Sequence, residues 1–135
     1  MEKTLTGQCL CGQVVFTVQD HFKAFYQCHC KQCQQLTGTA YASNLFTEPA
    51  NIHWQSGGDQ VATYEHPERS FSKAFCKHCG SALPFLNKTK TALIVPAGCL
   101  DEAASIDVEA DIFTDEAACW SNTDSLVKRF PGFPE

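Results

Sequence analysis

Cysteine is the residue type with the clearest chemical pattern in this chain. Nine cysteines occur among 135 residues, and seven of them fall into three tight groups. The groups are a Cys-x-Cys-Gly segment at 9–12, a Cys-x-Cys-x-x-Cys segment at 28–33 and a Cys-x-x-Cys-Gly segment at 76–80. Short cysteine spacings in turns present two or more thiolates to one ion, as tetrahedral zinc sites require. The sequence therefore predicts that at least one zinc ion binds.

A glycine directly follows the first and the third group, at Gly12 and Gly80. Glycine adopts left-handed backbone dihedrals readily, which lets the chain turn around a metal and direct N–H groups to the sulfurs. Because the two turns are equivalent in this respect, we pair them in one complete four-thiolate site. Its predicted ligands are Cys9, Cys11, Cys76 and Cys79.

The middle group then supplies three ligands and no fourth: Cys28, Cys30 and Cys33. A closed four-ligand zinc site is structural, whereas a site with three protein ligands keeps a position for water or substrate and can be catalytic. Two alternatives stay open at this stage. The triad could form a second closed site with Cys99, Cys119 or a histidine, or the chain could bind one metal only.

Charge, hydropathy and cysteine number exclude several classes of protein. The formal net charge is -5, which argues against a general nucleic-acid binder, and no run approaches the roughly 18 apolar residues of a membrane span. Nine cysteines cannot all pair in disulfides, so their number argues against a closed disulfide framework. The N-terminal residues lead into no apolar signal segment, so we expect a cytoplasmic protein, in a compartment where clustered cysteines bind metals.

The elements that must position these cysteines are predicted to be short strands, because turn-forming residues recur every several positions. Val14 and Phe16 share one face of the first run, which predicts a half-buried strand. A helical turn at 34–36 is predicted to end at Gly38. The predicted strands cover residues 13–18, 40–46, 52–54, 61–64, 70–75, 82–86, 91–95 and 106–113.

Length and composition predict a single all-β domain over residues 1–135. This length is typical of one domain, and 44% hydrophobic residues suffice for a core. The core is expected to span about 5–120, with a tail at 121–135 whose Phe130 and Phe133 pack over an apolar surface. Four further side chains are expected to pack in the core or at its edge: Trp54, Cys99, Cys119 and Trp120.

Four segments in this order carry a resemblance to a known family. They are residues 7–14, residues 28–33 followed by Thr37 and Gly38, residues 75–81, and the turn at 97–101. Together they resemble the glutathione-dependent formaldehyde-activating enzyme (GFA) family, whose domain is shared with centromere protein V. The resemblance runs from about Leu5 to Trp120, which is nearly the whole chain.

The resemblance implies a β-tent fold of several short antiparallel strands in packed sheets, stabilised by zinc turns, with two zinc ions per chain. It implies a structural zinc on Cys9, Cys11, Cys76 and Cys79, and a catalytic zinc, in a site that can be partly empty, on Cys28, Cys30 and Cys33. The implied activity is that of a carbon–sulfur lyase, which joins glutathione and formaldehyde to S-hydroxymethylglutathione. The alternative is a non-enzymatic zinc module that binds a protein partner or senses thiols.

Two positions depart from the family pattern in a way that bears on the substrate. Gln34 stands where members often carry arginine, and Asp111 stands where members often carry histidine. Both changes remove positive charge that an anionic thiol such as glutathione would use.

Side chains that could assist the chemistry lie near the cysteine groups in the sequence. The candidates for a general acid are His29, Lys31 and Tyr41. The candidates for steering a substrate carboxylate are Lys31, Lys73 and Lys77.

Overall fold

The computed structural model of the protein describes residues 3–121 and 127–134. These residues form mostly strands with little helix, in several small sheets, which confirms the predicted all-β class. The elements in chain order are β1 (Thr4–Gln8), β2 (Val15–Gln19), β3 (Ala24–Cys28), α1 (Lys31–Thr37), β4 (Ala42–Thr47), β5 (His53–Ser56), β6 (Val61–Glu65), β7 (Ser72–Cys76), β8 (Ala82–Leu83), β9 (Phe85–Leu86), β10 (Leu93–Pro96) and β11 (Ala110–Ile112).

The strands are arranged in three sheets, with the orders β1-β2-β5, β11-β3-β4-β10-β9 and β6-β7-β8. Neighbouring strands in the described sheets are antiparallel, except that β11 runs parallel to β3. A parallel pair needs a long crossover connection. Residues 29–109 connect β3 to β11, so a parallel edge strand is added to the antiparallel strands that the resemblance implies.

Strand boundaries differ from the prediction at several points. β1 and β3 were not predicted, and the predicted strand at 106–113 is reduced to β11. The predicted strand at 82–86 is divided at Pro84 into β8 and β9, which pair in different sheets. Proline has no N–H for a sheet ladder, which accounts for the break.

The first sheet buries the face that the sequence predicts. Val14 and Phe16 are fully buried, together with Leu5 from β1. Gly7 of β1 contacts this core so closely that a Cβ atom there would lie 2.2 Å from the Phe16 ring. The close approach explains a glycine inside a strand, where it otherwise weakens pairing.

The expectation of packing holds for two of the four further side chains. Trp54 packs against Phe16 with ring centroids 5.7 Å apart, and the half-buried Cys99 contacts the core. Trp120 is 61% exposed and Cys119 is also exposed, so the prediction was wrong for both. They lie in a short 3-10 turn beyond the edge strand β11, away from the core.

The described part of the predicted tail is exposed. Residues 127–134 are exposed throughout, and Phe133 retains 91% of its accessible surface. With its ring this exposed, Phe133 does not pack over an apolar surface as predicted. Residues 122–126 and 135 lie outside the described residues, so the packing of that part of the tail stays a prediction. Over the described ranges, no helix has both the length and the hydropathy of a transmembrane span.

Candidate metal centre

The turn after β1 and the turn after β7 bring four cysteine sulfurs together. The Sγ atoms of Cys9, Cys11, Cys76 and Cys79 all lie within 4.8 Å of one another. The Cys9 and Cys11 sulfurs are 3.6 Å apart, and those of Cys11 and Cys76 are 3.8 Å apart. Four thiolates placed tetrahedrally at about 2.3 Å from zinc are about 3.8 Å from each other. A disulfide needs about 2.05 Å, so the donor set fits a tetrahedral metal ion.

Glycine shapes both turns of this four-cysteine cluster, as the sequence predicts. Gly12 has a φ of 81° and Gly80 a φ of 76°, both in the left-handed region. The Gly12 N–H donates to the Cys9 carbonyl at 3.0 Å, and the Gly80 N–H donates to the Cys76 carbonyl at 2.8 Å. The tight turns leave amides free for the sulfurs: the Val14 N–H donates to Cys9 Sγ at 3.3 Å.

Hydrogen bonds already favour the thiolate form in part of this cluster. The Ser81 hydroxyl, 3.2 Å from Cys79 Sγ, and the Ser81 amide lower the pKa of Cys79 to about 5. Burial raises the pKa of Cys9, but the hydrogen bond from the Val14 amide and those of the Cys11 and Cys76 sulfurs outweigh burial and lower it overall. The Gln13 amide lowers the pKa of Cys11, yet burial and the other sulfurs raise it to about 11.

The middle group forms a second cluster, the triad of Cys28, Cys30 and Cys33. Its three Sγ atoms lie within 4.8 Å of one another, and the residues are only 8%, 4% and 6% exposed. Cys28 ends β3, and Cys30 caps the N-terminus of α1, where its Sγ accepts the Cys33 N–H at 3.3 Å. Gly38 ends α1 with a φ of 71°, which confirms the predicted stop. The helix thus folds the third sulfur back onto the other two.

Three donor atoms form the triad, where the other cluster has four. Over residues 3–121 and 127–134, no fourth histidine, cysteine or carboxylate atom joins it within the same distance. His29, between two triad residues, instead places Nε2 2.8 Å from the Asp111 carboxylate. Cys99 packs against the core of the first sheet, and Cys119 is exposed.

Burial raises the thiol pKa of two triad residues, Cys28 and Cys33. Burial and then the neighbouring Cys30 and Cys28 sulfurs raise the pKa of Cys33 strongly. A metal ion must displace protons from these thiols in order to bind.

A cavity of about 310 Å³, the triad cleft, opens beside the triad. Cys28 and Cys33 form part of its wall, between the five-stranded sheet and the sheet of β6, β7 and β8. Much of the remaining wall is apolar, and Phe71 and Ile112 also pack directly against the triad. The other large apolar side chains that line it are Leu36, Phe46, Leu83, Phe85 and Ile94.

The structure separates the three candidates for a general acid. Tyr41 lines the triad cleft. His29 lines a different depression, with Cys119 and Asp111, and its ring lies 4.9 Å from the Tyr41 ring. Lys31 is exposed and lies outside the residues that line the cleft.

The candidates for carboxylate steering are separated in the same way. Lys73 lines the cleft and donates to the carbonyl of Leu36. Lys77 is exposed and donates to the Asp59 carbonyl at 3.3 Å. Lys88 also lines the cleft and was missed. It lies nine positions after Cys79, in a turn between two strands, and no sequence pattern links it to the triad.

The side chains at the two positions that depart from the family pattern, Gln34 and Asp111, form hydrogen bonds within the protein. Gln34 Nε2 donates to the carbonyls of His29 at 2.9 Å and of Glu116 at 3.0 Å. Asp111 accepts from His29, as described above. Both side chains therefore bind the loop after β3 to the segment around β11.

Comparisons with known proteins agree with this arrangement. No curated protein sequence matches the chain. A crystal structure of a Rhodobacter sphaeroides protein matches with a TM-score of 0.62 and 18% identity, over 78% of this chain and 98% of that one, which supports the fold alone. The model of the glutathione-dependent formaldehyde-activating enzyme family matches residues 4–116. With both cysteine clusters inside that match, the chain belongs to the glutathione-dependent formaldehyde-activating enzyme family.

Proposed function

We propose that the protein is a zinc-dependent carbon–sulfur lyase that acts on thiol–aldehyde adducts, such as the adduct of glutathione and formaldehyde. One observation carries the proposal: the three buried sulfurs of the triad lie beside a cleft, two of the three cysteines line it, and among the described residues the triad has three metal-donor atoms, whereas the other cluster has four. Family membership supports the reaction class.

The two clusters have different roles in this proposal. Cys9, Cys11, Cys76 and Cys79 would hold a structural zinc that joins the turn after β1 to the turn after β7. The triad of Cys28, Cys30 and Cys33 would hold the catalytic zinc, with one position left for substrate. Zinc bound there would lower the pKa of a substrate thiol, so that it is a thiolate at neutral pH.

The reaction itself is an addition without a redox step. The thiol releases its proton to solvent as it becomes a thiolate. Its sulfur then bonds to the aldehyde carbon, the π bond of the carbonyl opens, and the oxygen takes up one proton from an acid to become a hydroxyl; solvent returns a proton to that acid, so no net proton is gained or lost. The lyase direction is the reverse. Tyr41 is the one of the three acid candidates that lines the triad cleft, so we assign it the hydrogen bond or proton given to that oxygen. The apolar wall keeps bulk water from the reacting atoms.

Cobalt substitution followed by glutathione titration tests the open position. Cobalt–thiolate absorption bands report the ligands of the metal, so binding of glutathione sulfur is expected to change the bands of the triad site. Cys30→Ala should remove this change, while the exposed Cys119→Ser, outside both clusters, should retain it. An unchanged spectrum would contradict the enzyme proposal and leave the non-enzymatic zinc module.

A further inference from the structure

Two lysines line the triad cleft without a carboxylate partner. Lys73 lies in β7 and Lys88 in the turn between β9 and β10, and both are half-buried. Over the part of the chain that the structure describes, neither ammonium lies within 4.0 Å of a carboxylate oxygen. Lys90, two residues further along the same turn, does pair, with Glu65 at 3.9 Å.

Backbone carbonyls hold both ammonium groups in place without neutralising them. Lys73 Nζ donates to the Leu36 carbonyl, and Lys88 Nζ donates to the carbonyls of His66 at 2.5 Å and Arg69 at 2.9 Å. An ammonium has three N–H donors. Lys73 therefore has two donors left, and Lys88 has one.

The cleft is electrostatically unlike the protein as a whole. The chain has a formal net charge of -5, yet the described residues that line the cleft include two lysines and no aspartate or glutamate. Low-dielectric apolar walls concentrate the field of such charges. The wall therefore complements an anion that also carries apolar atoms.

The position of Lys73 links this charge to the triad. Its ammonium contacts the carbonyl of Leu36, which follows Cys33 by three positions on α1, about one helical turn. An anionic group of the substrate would therefore lie in the same cleft as its sulfur.

We propose that Lys73 and Lys88 are specificity-determining residues of the triad cleft, which bind a carboxylate on the thiol component of the adduct. The placement of the substrate sulfur at the triad rests on the proposed function. The carboxylate accepts the N–H groups that the backbone leaves free, and the apolar wall contacts the carbon chain between carboxylate and sulfur.

Paired ligands that differ only in charge test the assignment. Cobalt-loaded protein is titrated with 3-mercaptopropionate and with its methyl ester, and the metal bands are recorded. Because hydrogen bonds to a charged group are stronger than neutral ones, the acid should half-saturate the site at a concentration about tenfold lower than the ester. Lys73→Met and Lys88→Met should each reduce this ratio at least about threefold. Lys90→Met, which removes the same charge outside the cleft lining, should preserve it.

A ligand without sulfur distinguishes this inference from the proposed function. Binding of 3-phenylpropionate and of 3-phenylpropanol is followed by NMR in the same proteins, with circular dichroism confirming that each variant is folded. If the acid binds more tightly than the alcohol and this preference depends on Lys88, the carboxylate site is supported. If at the same time no thiol changes the metal bands, only the lyase proposal is overturned. Equal affinity of acid and neutral partner in both ligand pairs, or full preference in both lysine variants, overturns the carboxylate site.

Discussion

Cys76→Ala is expected to destabilise the protein much more than Cys30→Ala, although each variant removes one sulfur from a cluster. A metal ion in the four-cysteine cluster would connect Cys11 and Cys76, which are 65 positions apart in the sequence. Closing a loop of that length restricts the unfolded chain by about 4 kcal/mol in the chain-entropy treatment of cross-links. The triad spans only residues 28–33, and the corresponding value is about 2 kcal/mol.

The surroundings of the two sulfurs increase the difference. Cys76 is fully buried in the core cluster with Leu5 and Phe16, so its removal also leaves a void there. Against a total stability of about 5–15 kcal/mol, loss of the long cross-link leaves little margin. We therefore expect Cys76→Ala to be largely unfolded at 37 °C, and Cys30→Ala to stay folded but inactive.

The assay combines urea denaturation, followed by circular dichroism, with zinc analysis of each purified protein. Cys119→Ala is the control, because Cys119 is exposed and outside both clusters, and it should unfold like the unchanged protein. A folded Cys76→Ala protein with the same urea midpoint as Cys30→Ala would refute the reasoning from loop length.

Three further predictions concern acid, the proton donor and the core. On lowering the pH, zinc should leave the triad before the four-cysteine cluster. The pKa is raised at Cys28 and Cys33 of the triad, which favours protons over metal, whereas the four-cysteine cluster has two thiols of lowered pKa, Cys9 and Cys79, against one of raised pKa, Cys11. A chelator dye would show two steps, and loss of both ions at one pH in the intact protein would contradict this. Tyr41→Phe should lower turnover about 100-fold at unchanged zinc content if the hydroxyl gives its proton to the substrate oxygen; an unchanged rate removes Tyr41 from the mechanism. Gly7→Ala should cost about 1–3 kcal/mol in the free energy of unfolding, because the new Cβ overlaps Phe16. Gly98→Ala is the control, because a Cβ atom there meets open space. Equal urea midpoints for the two variants would contradict the prediction, because they would mean that the Phe16 side chain can move aside without cost.

Much of the arrangement of the cysteines is local, and the sequence predicts it for that reason. Cysteines two or three residues apart can approach one ion through turn geometry alone, and Gly12 and Gly80 do have the left-handed dihedrals such turns need. The partition into four sulfurs and three followed from these spacings, and the two clusters are observed. The alternation at Val14 and Phe16 likewise predicted a buried face, because a strand directs successive side chains to opposite sides.

Other features depend on segments that are distant in the sequence, and only the tertiary structure decides them. His29 contacts Asp111 because β11 runs parallel to β3, a pairing that no local pattern announces. The triad has a cleft beside it because the sheet of β6, β7 and β8 lies opposite the sheet that carries Cys28. The same packing places Lys88, from a remote turn, on the cleft wall. Residue spacing along the chain determines which sulfurs within one turn can share an ion. The packing of the sheets brings the turn after β1 to the turn after β7 and determines what else can reach each cluster.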